Sequence, residues 1–124
     1  MKIGELCSRS GVSKDTIRHY EALGLLRPSY RPAGNRHYRH YGEDTLQRLA
    51  HIANGKRAGF SLREIRAQLD QLMDGRMDSA KQRATLLAQL ARIDEQIATL
   101  REAKQFLRTQ LARVDRFAAR QRQP

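Results

Sequence analysis

The sequence predicts a mainly α fold: a small helical head bearing a β hairpin, followed by one long helix that needs a partner. Three observations carry this. Apolar residues make up only 40% of the 124, with no Trp, four Tyr and three Phe, which excludes a large buried core. Glycine and proline punctuate the chain up to Gly75 and are absent from Ser79 to Gln123. Within that uninterrupted stretch, apolar residues recur at alternating spacings of four and three.

In the head, Ile3, Leu6 and Cys7 share one face of a short helix from about Ile3 to Arg9. Gly11-Val12-Ser13 makes a tight turn, and Ser13 is placed to cap a second helix over Lys14 to Leu23. Gly24 is placed to end it in a left-handed conformation. Two short helices about a Gly-containing turn form a helix-turn-helix pattern. Cys7, Gly11 and Ile17 suit the close helix packing it requires. Pro28, Pro32, Gly34 and Asn35 then break any helix, with Pro-Ala-Gly-Asn as a hairpin turn. After it, Arg36, Tyr38 and His40 alternate with His37, Arg39 and Tyr41, the period of a strand. A basic hairpin directly after a helix-turn-helix is a wing.

A third helix runs from about Glu43 to Arg57, with Leu46, Leu49, Ile52 and Ala53 toward the core and Gly59 ending it. The fourth opens on Ser61-Leu62-Arg63-Glu64, a capping box, with Phe60 and Ile65 as its hydrophobic staple. Leu62, Ile65, Leu69 and Leu72 form its buried stripe, and Gly75 terminates it.

The long helix carries Leu86, Leu90, Ile93, Ile97, Leu100, Lys104, Leu107, Leu111, Val114 and Ala118 without a slip in spacing. That is a coiled-coil seam, and a second copy of the chain is its simplest partner. Lys104 alone interrupts it, either setting register or snorkelling its ammonium outward. The expected division is a head over 1–75, a dimerisation helix over 79–119 and a basic, disordered tail over 120–124.

Charge points to the partner. Twenty-four basic residues against 13 acidic ones give +11, a balance suited to nucleic acid. Cys7 is the single cysteine, so no intramolecular disulfide, zinc ribbon or iron–sulfur site is expected within the chain, and no cofactor. His37 and His40 fall on opposite faces of a strand, His19 and His51 lie elsewhere, and no carboxylate or thiolate cluster joins them, so no metal site is expected. With no signal peptide and no ~20-residue apolar span, the expectation is a soluble, cytoplasmic protein. No phosphate-cradling loop, nucleophile elbow or paired-carboxylate signature is present, and no enzyme is expected.

Ile3-Gly4-Glu5-Leu6 with Gly11-Val12-Ser13, then Thr16-Ile17-Arg18-His19-Tyr20-Glu21-Ala22-Leu23-Gly24-Leu25-Leu26, resembles the MerR family of bacterial transcription regulators. Asn35-Arg36-His37-Tyr38-Arg39-His40-Tyr41 and Gly59-Phe60-Ser61-Leu62-Arg63-Glu64-Ile65 continue the match in order, covering residues 1 to about 72 by motif and the rest by architecture. The resemblance implies a winged helix-turn-helix head, a second wing from the third and fourth helices, and an antiparallel coiled-coil homodimer on a pseudo-palindromic promoter. It also implies activation by bending and untwisting the promoter on effector binding, so that RNA polymerase engages both elements; indirect readout is the physics. His19 departs from the family's usual aromatic at that place. The cysteines of metal-sensing and redox-sensing members are missing from Ala112 to Pro124, and the chain stops before a separate ligand domain. The effector region of short members corresponds here to Ala112 to Arg120, with Phe117 its only aromatic and a small organic effector the remaining class.

The DNA-contact candidates are Ser13, Lys14, Thr16, Arg18, His19, Tyr20, Arg36, Tyr38, Arg39, Lys56 and Arg57. Arg18 can read guanine O6 and N7 together or clamp a phosphate. Tyr20 either donates to a phosphate or packs against the wing, and Ser13 is a phosphate contact or only a cap. Lys56 and Arg57 either touch phosphate from the second wing or complement the helix dipole. Two other readings remain open: an architectural protein or repressor that senses nothing, and a membrane-surface role for residues 101–124, with seven basic residues against two acids. The heptad register of Leu107, Leu111, Val114 and Ala118 favours a helix partner over lipid.

Overall fold

The computed structural model describes residues 1–34, 36–73 and 75–123; Asn35, the last residue of the expected hairpin turn, lies outside the described residues. The order is α1 (Ile3–Ser10), α2 (Lys14–Ala22), β1 (Ser29–Ala33), β2 (Arg36–His40), α3 (Glu43–Arg57), α4 (Leu62–Met73) and α5 (Ser79–Gln121). The chain divides into two compact units, Met1–Gln82 and Arg83–Pro124.

The helix ends of the first unit follow from their caps. Ser13 Oγ accepts the Thr16 N–H at 3.2 Å and so opens α2. At the other end Gly24, at φ 77°, donates its N–H to the Glu21 carbonyl while the Leu25 N–H reaches the Tyr20 carbonyl. That Schellman pair turns the chain inward and buries Leu25 and Leu26. The same device recurs after α3, where Gly59 donates to Lys56 and Phe60 to Gly55. Ser61 and Glu64 then form the reciprocal capping box, at 3.0 and 3.1 Å. β1 and β2 pair antiparallel from Ser29↔His40 to Ala33↔Arg36.

The core of the unit gathers Leu6, Ile17, Leu25, Leu26, Tyr41, Ile52, Ile65 and Leu69, with Tyr20, Leu49 and Phe60 at its margin. Four expectations need correction. Gly11 is required for its left-handed cap, at φ 72°, and not for close packing, since an added Cβ there meets nothing within 4 Å. Ala53 is exposed; the covered face of α3 is Thr45, Arg48, Leu49, Ile52 and Gly55, a face that mixes polar and apolar residues and is missed by an apolar count. Leu72 is 40% exposed, because the covered face of α4 ends at Leu69, one turn before the helix does. Arg120 and Gln121, expected in a disordered tail, belong to α5, where no breaker stops the helix and Arg120 complements the C-terminal dipole.

In the second unit, α5 exposes the seam read from the heptads: Leu86, Leu90, Ile97, Leu100, Leu107, Leu111 and Val114 are 40–64% exposed. Ile93 is half-buried and Lys104 exposed.

Gly55 sets the approach of α3 to α4. A Cβ there would stand 2.9 Å from Ile65 Cγ1, and Ile65 is fully buried and stiff at χ1. Gly55→Val is expected to lower stability by about 1–3 kcal/mol by overpacking, read as a fall in thermal midpoint. Gly4→Ala, where an added Cβ meets nothing within 4 Å, should leave the midpoint level or raised.

Candidate nucleic-acid interface

One face of α2 is buried through Ile17 and Tyr20, which leaves Lys14, Arg18 and His19 exposed and Thr16 half-buried. Tyr20 is only 7% exposed and its ring belongs to the head core, so any contact it makes with a phosphate falls to its hydroxyl. Ser13 is occupied as a cap: its hydroxyl also donates to Thr16 Oγ1 at 2.9 Å. The backbone N–H groups of that helix end still favour an anion.

The wing supplies the facing wall. Arg36, Tyr38 and Arg39 are exposed on β2. A cleft of about 250 Å³ is lined by Lys2, Ile3, Arg18, His37, Tyr38 and Arg39. A second, of about 360 Å³, is lined by Arg18, Glu21, Ala22, Pro28, Tyr30 and Arg39. Arg18 and Arg39 thus line both clefts, which lie between recognition helix and wing. The Lys2 ammonium lies 5.3 Å from the centroid of the Tyr38 ring, a cation–π pair that adds a further positive charge to the cleft. Lys56 and Arg57 occupy the last turn of α3 and line neither cleft.

Sequence reasoning missed the acid in this basic groove. Glu21 accepts a hydrogen bond from the Tyr41 hydroxyl and lies 3.3 Å from Arg39 Nη1. A hydrogen bond with Tyr30 and the charge of Glu21 hold the Arg39 guanidinium above its ordinary range. Burial, then the bond to Glu21, pushes the Tyr41 phenol up, so it remains a neutral donor. Tyr30 faces Arg39 in the strand register, which the period of two could have shown; the Glu21 contact, twenty residues from Tyr41, left no local signal. Lys2 was missed because it precedes every periodic element.

Among the described residues no group of three His, Cys, Asp or Glu side chains is placed to hold a metal ion. Cys7 is half-buried against the core edge. No helix of the described residues is long and apolar enough to cross a membrane.

A helix-turn-helix with a basic wing on a +11 chain has the form of a DNA-binding head. The chain belongs to the MerR family: residues 1–72 match the MerR HTH family regulatory protein profile and residues 46–114 the MerR, DNA binding profile. It is 39% identical over 110 residues to the HTH-type transcriptional regulator PA4778 of Pseudomonas aeruginosa, covering 86% of this chain and 82% of that protein. It is 33% identical over 108 residues to the HTH-type transcriptional regulator HmrR of Sinorhizobium medicae, covering 87% and 72%. Among solved structures, the regulator PbrR691 from Ralstonia metallidurans CH34, in complex with lead(II), superposes with a TM-score of 0.70 at 32% identity, covering 86% and 81% of the two chains.

The head has a defined pH dependence. Burial, followed by the charges of Arg31 and the Met1 amine, holds His40 below its ordinary value. The unfolded chain therefore binds the extra proton first, and stability falls as pH drops below about 6.5. A hydrogen bond from Arg9 holds Glu43 below the usual carboxylate range, so its contribution is present above about 4.5 and lost under it. Thermal midpoints should fall between about pH 7.5 and 5.5, and His40→Asn should flatten that slope; an equal slope in the variant would remove His40 as its origin.

Proposed function

We propose that the chain is a homodimeric promoter regulator that grips DNA through Arg18, Arg39, Tyr38 and Lys56, and acts by deforming the duplex. The exposed seam of α5 carries this reading. Seven large apolar side chains on one heptad register, 40–64% exposed in the single chain, need a partner helix of matching period. A second copy supplies it, and two-fold symmetry then matches a pseudo-palindromic site. Lys14, Thr16, His19, Arg36 and Arg57 complete the basic surface along the DNA, with Ser13 orienting the recognition helix as its cap. The soluble, cytoplasmic setting of a promoter regulator accords with this reading.

The effector is where this chain parts from PbrR691. A thiolate site for a soft cation needs several sulfur ligands, and these 124 residues supply Cys7 alone. The donor set does not fit a thiolate-bound ion. An organic effector at the Ala112–Arg120 segment, or constitutive bending with no effector, accords better with the residues present.

Leu100 is 64% exposed on the seam, and its burial in a dimer contributes about 1.5–3 kcal/mol per chain. Leu100→Asp places a charge there in both copies, and sedimentation at micromolar concentration is expected to show monomer. A persistent dimer would mean that another surface joins the subunits.

Arg18→Ala is expected to cost about 1–3 kcal/mol on the cognate element, identified by footprinting the protein's own upstream region. Lys56→Ala should weaken all duplexes alike and reduce the salt slope by about one counterion per protomer. An equal loss on cognate and random DNA in Arg18→Ala would make Arg18 a phosphate clamp.

A further inference from the structure

We propose that Glu21 is a positioning residue for DNA: it holds one edge of the Arg39 guanidinium so that another edge faces the phosphate backbone. The inference rests on the reading of Arg39 as a backbone contact and adds what presents it. Glu21 lies in the last turn of α2, and its side chain is 9% exposed. Each carboxylate oxygen has its own partner: Oε1 accepts from the Tyr41 hydroxyl, and Oε2 lies 3.3 Å from Arg39 Nη1. Tyr41 is itself fixed, with a buried ring and a backbone N–H bonded to the Met1 carbonyl at 2.7 Å. The carboxylate is therefore an anchored acceptor rather than a swinging surface acid.

Arg39 is the mobile end of the pair, with a side chain 47% exposed. A guanidinium carries five donors in a planar fork, so the contacts with Glu21 and Tyr30 still leave donors unspent. Arg39 lies in the wall common to both clefts, beside Arg18. A negative charge in that groove repels a polyanion. Its presence is accounted for by orientation. An exposed arginine loses rotamer freedom when it grips a phosphate, and a guanidinium already held on one edge loses less.

The test is a double-mutant cycle on the full chain, read as affinity for a fluorescent duplex of random sequence at low salt. Random sequence suffices because a phosphate contact is independent of the bases. Glu21→Gln, Arg39→Ala and the double variant are compared, which cancels any general effect of removing a negative charge. The expected result is a loss from Glu21→Gln that is roughly 2–12-fold greater per protomer with Arg39 present than with Arg39→Ala. An equal factor in both backgrounds would overturn the proposal while leaving Arg39 as a DNA contact. Unchanged affinity in Arg39→Ala would remove the Arg39 reading itself, and the role of Glu21 with it. If Glu21→Gln fails to melt cooperatively, Tyr41→Phe replaces it in the cycle on the same criterion, since it keeps the carboxylate charged and frees one oxygen.

Discussion

A buried guanidinium joins the helix-turn-helix to the α3–α4 pair. Arg48 is 5% exposed and donates its Nε–H to the Leu25 carbonyl at 2.9 Å. That carbonyl belongs to the residue just turned inward by the Schellman cap at Gly24, where no helix or strand partner is available to it. Without Arg48, Leu25 would carry an unsatisfied polar group into the core, at a cost of about 1–3 kcal/mol. The rest of the head depends on this joint, because it fixes where the recognition helix ends relative to the scaffold that supports the wing. The charge is balanced at a distance: Asp70 on α4 lies 3.9 Å from Arg48 Nη2, 3.9 Å from Arg66 Nε and 2.9 Å from Arg27 Nη2.

The joint matters more because the apolar core is small. In a head this size, the mutual orientation of elements falls in part to polar ties between distant residues. Arg9 clasps Glu43 at 2.7 and 3.0 Å and so links α1 to the first turn of α3. Tyr41 and Glu21 link the end of the wing to the end of α2. Exposed ion pairs of the Arg9–Glu43 kind contribute little to stability. Their geometric effect is larger, since they select one relative placement of elements whose apolar contacts alone would tolerate several.

This division explains what the sequence could disclose. Ser13 as a cap, the Ser61–Glu64 box, left-handed Gly24 and the heptads of α5 are local patterns, complete within a few residues, and each was legible. Arg48, Glu21 and Asp70 read from sequence as ordinary surface charges, because Leu25, Tyr41 and Arg27, the partners that hydrogen-bond them, lie 20 or more residues away. Tyr20 shows the same limit from the other side. A tyrosine on a recognition helix next to Arg18 resembles a DNA contact, and α2 presents Arg18 and His19 outward while the ring of Tyr20 packs inward with Ile17. Helical periodicity places residues 17 and 20 on one face, so the packing alternative followed from spacing, whereas the phosphate alternative followed from residue chemistry.

The acid at residue 21 also bears on how the charge of a +11 chain is arranged. A purely basic groove gains affinity for every duplex alike, since phosphate contacts carry no sequence information. The carboxylate beside Arg39 fixes where one of those charges points, at the place where helix and wing meet. Arg18, exposed and lining the same two clefts, is the residue proposed above to discriminate bases. The same separation extends to the effector. Every residue lining the two clefts lies within the first unit, while Ala112–Arg120, the segment proposed above for an effector, lies within the second. A change of donor residues in the second unit would therefore leave the clefts of the first unchanged.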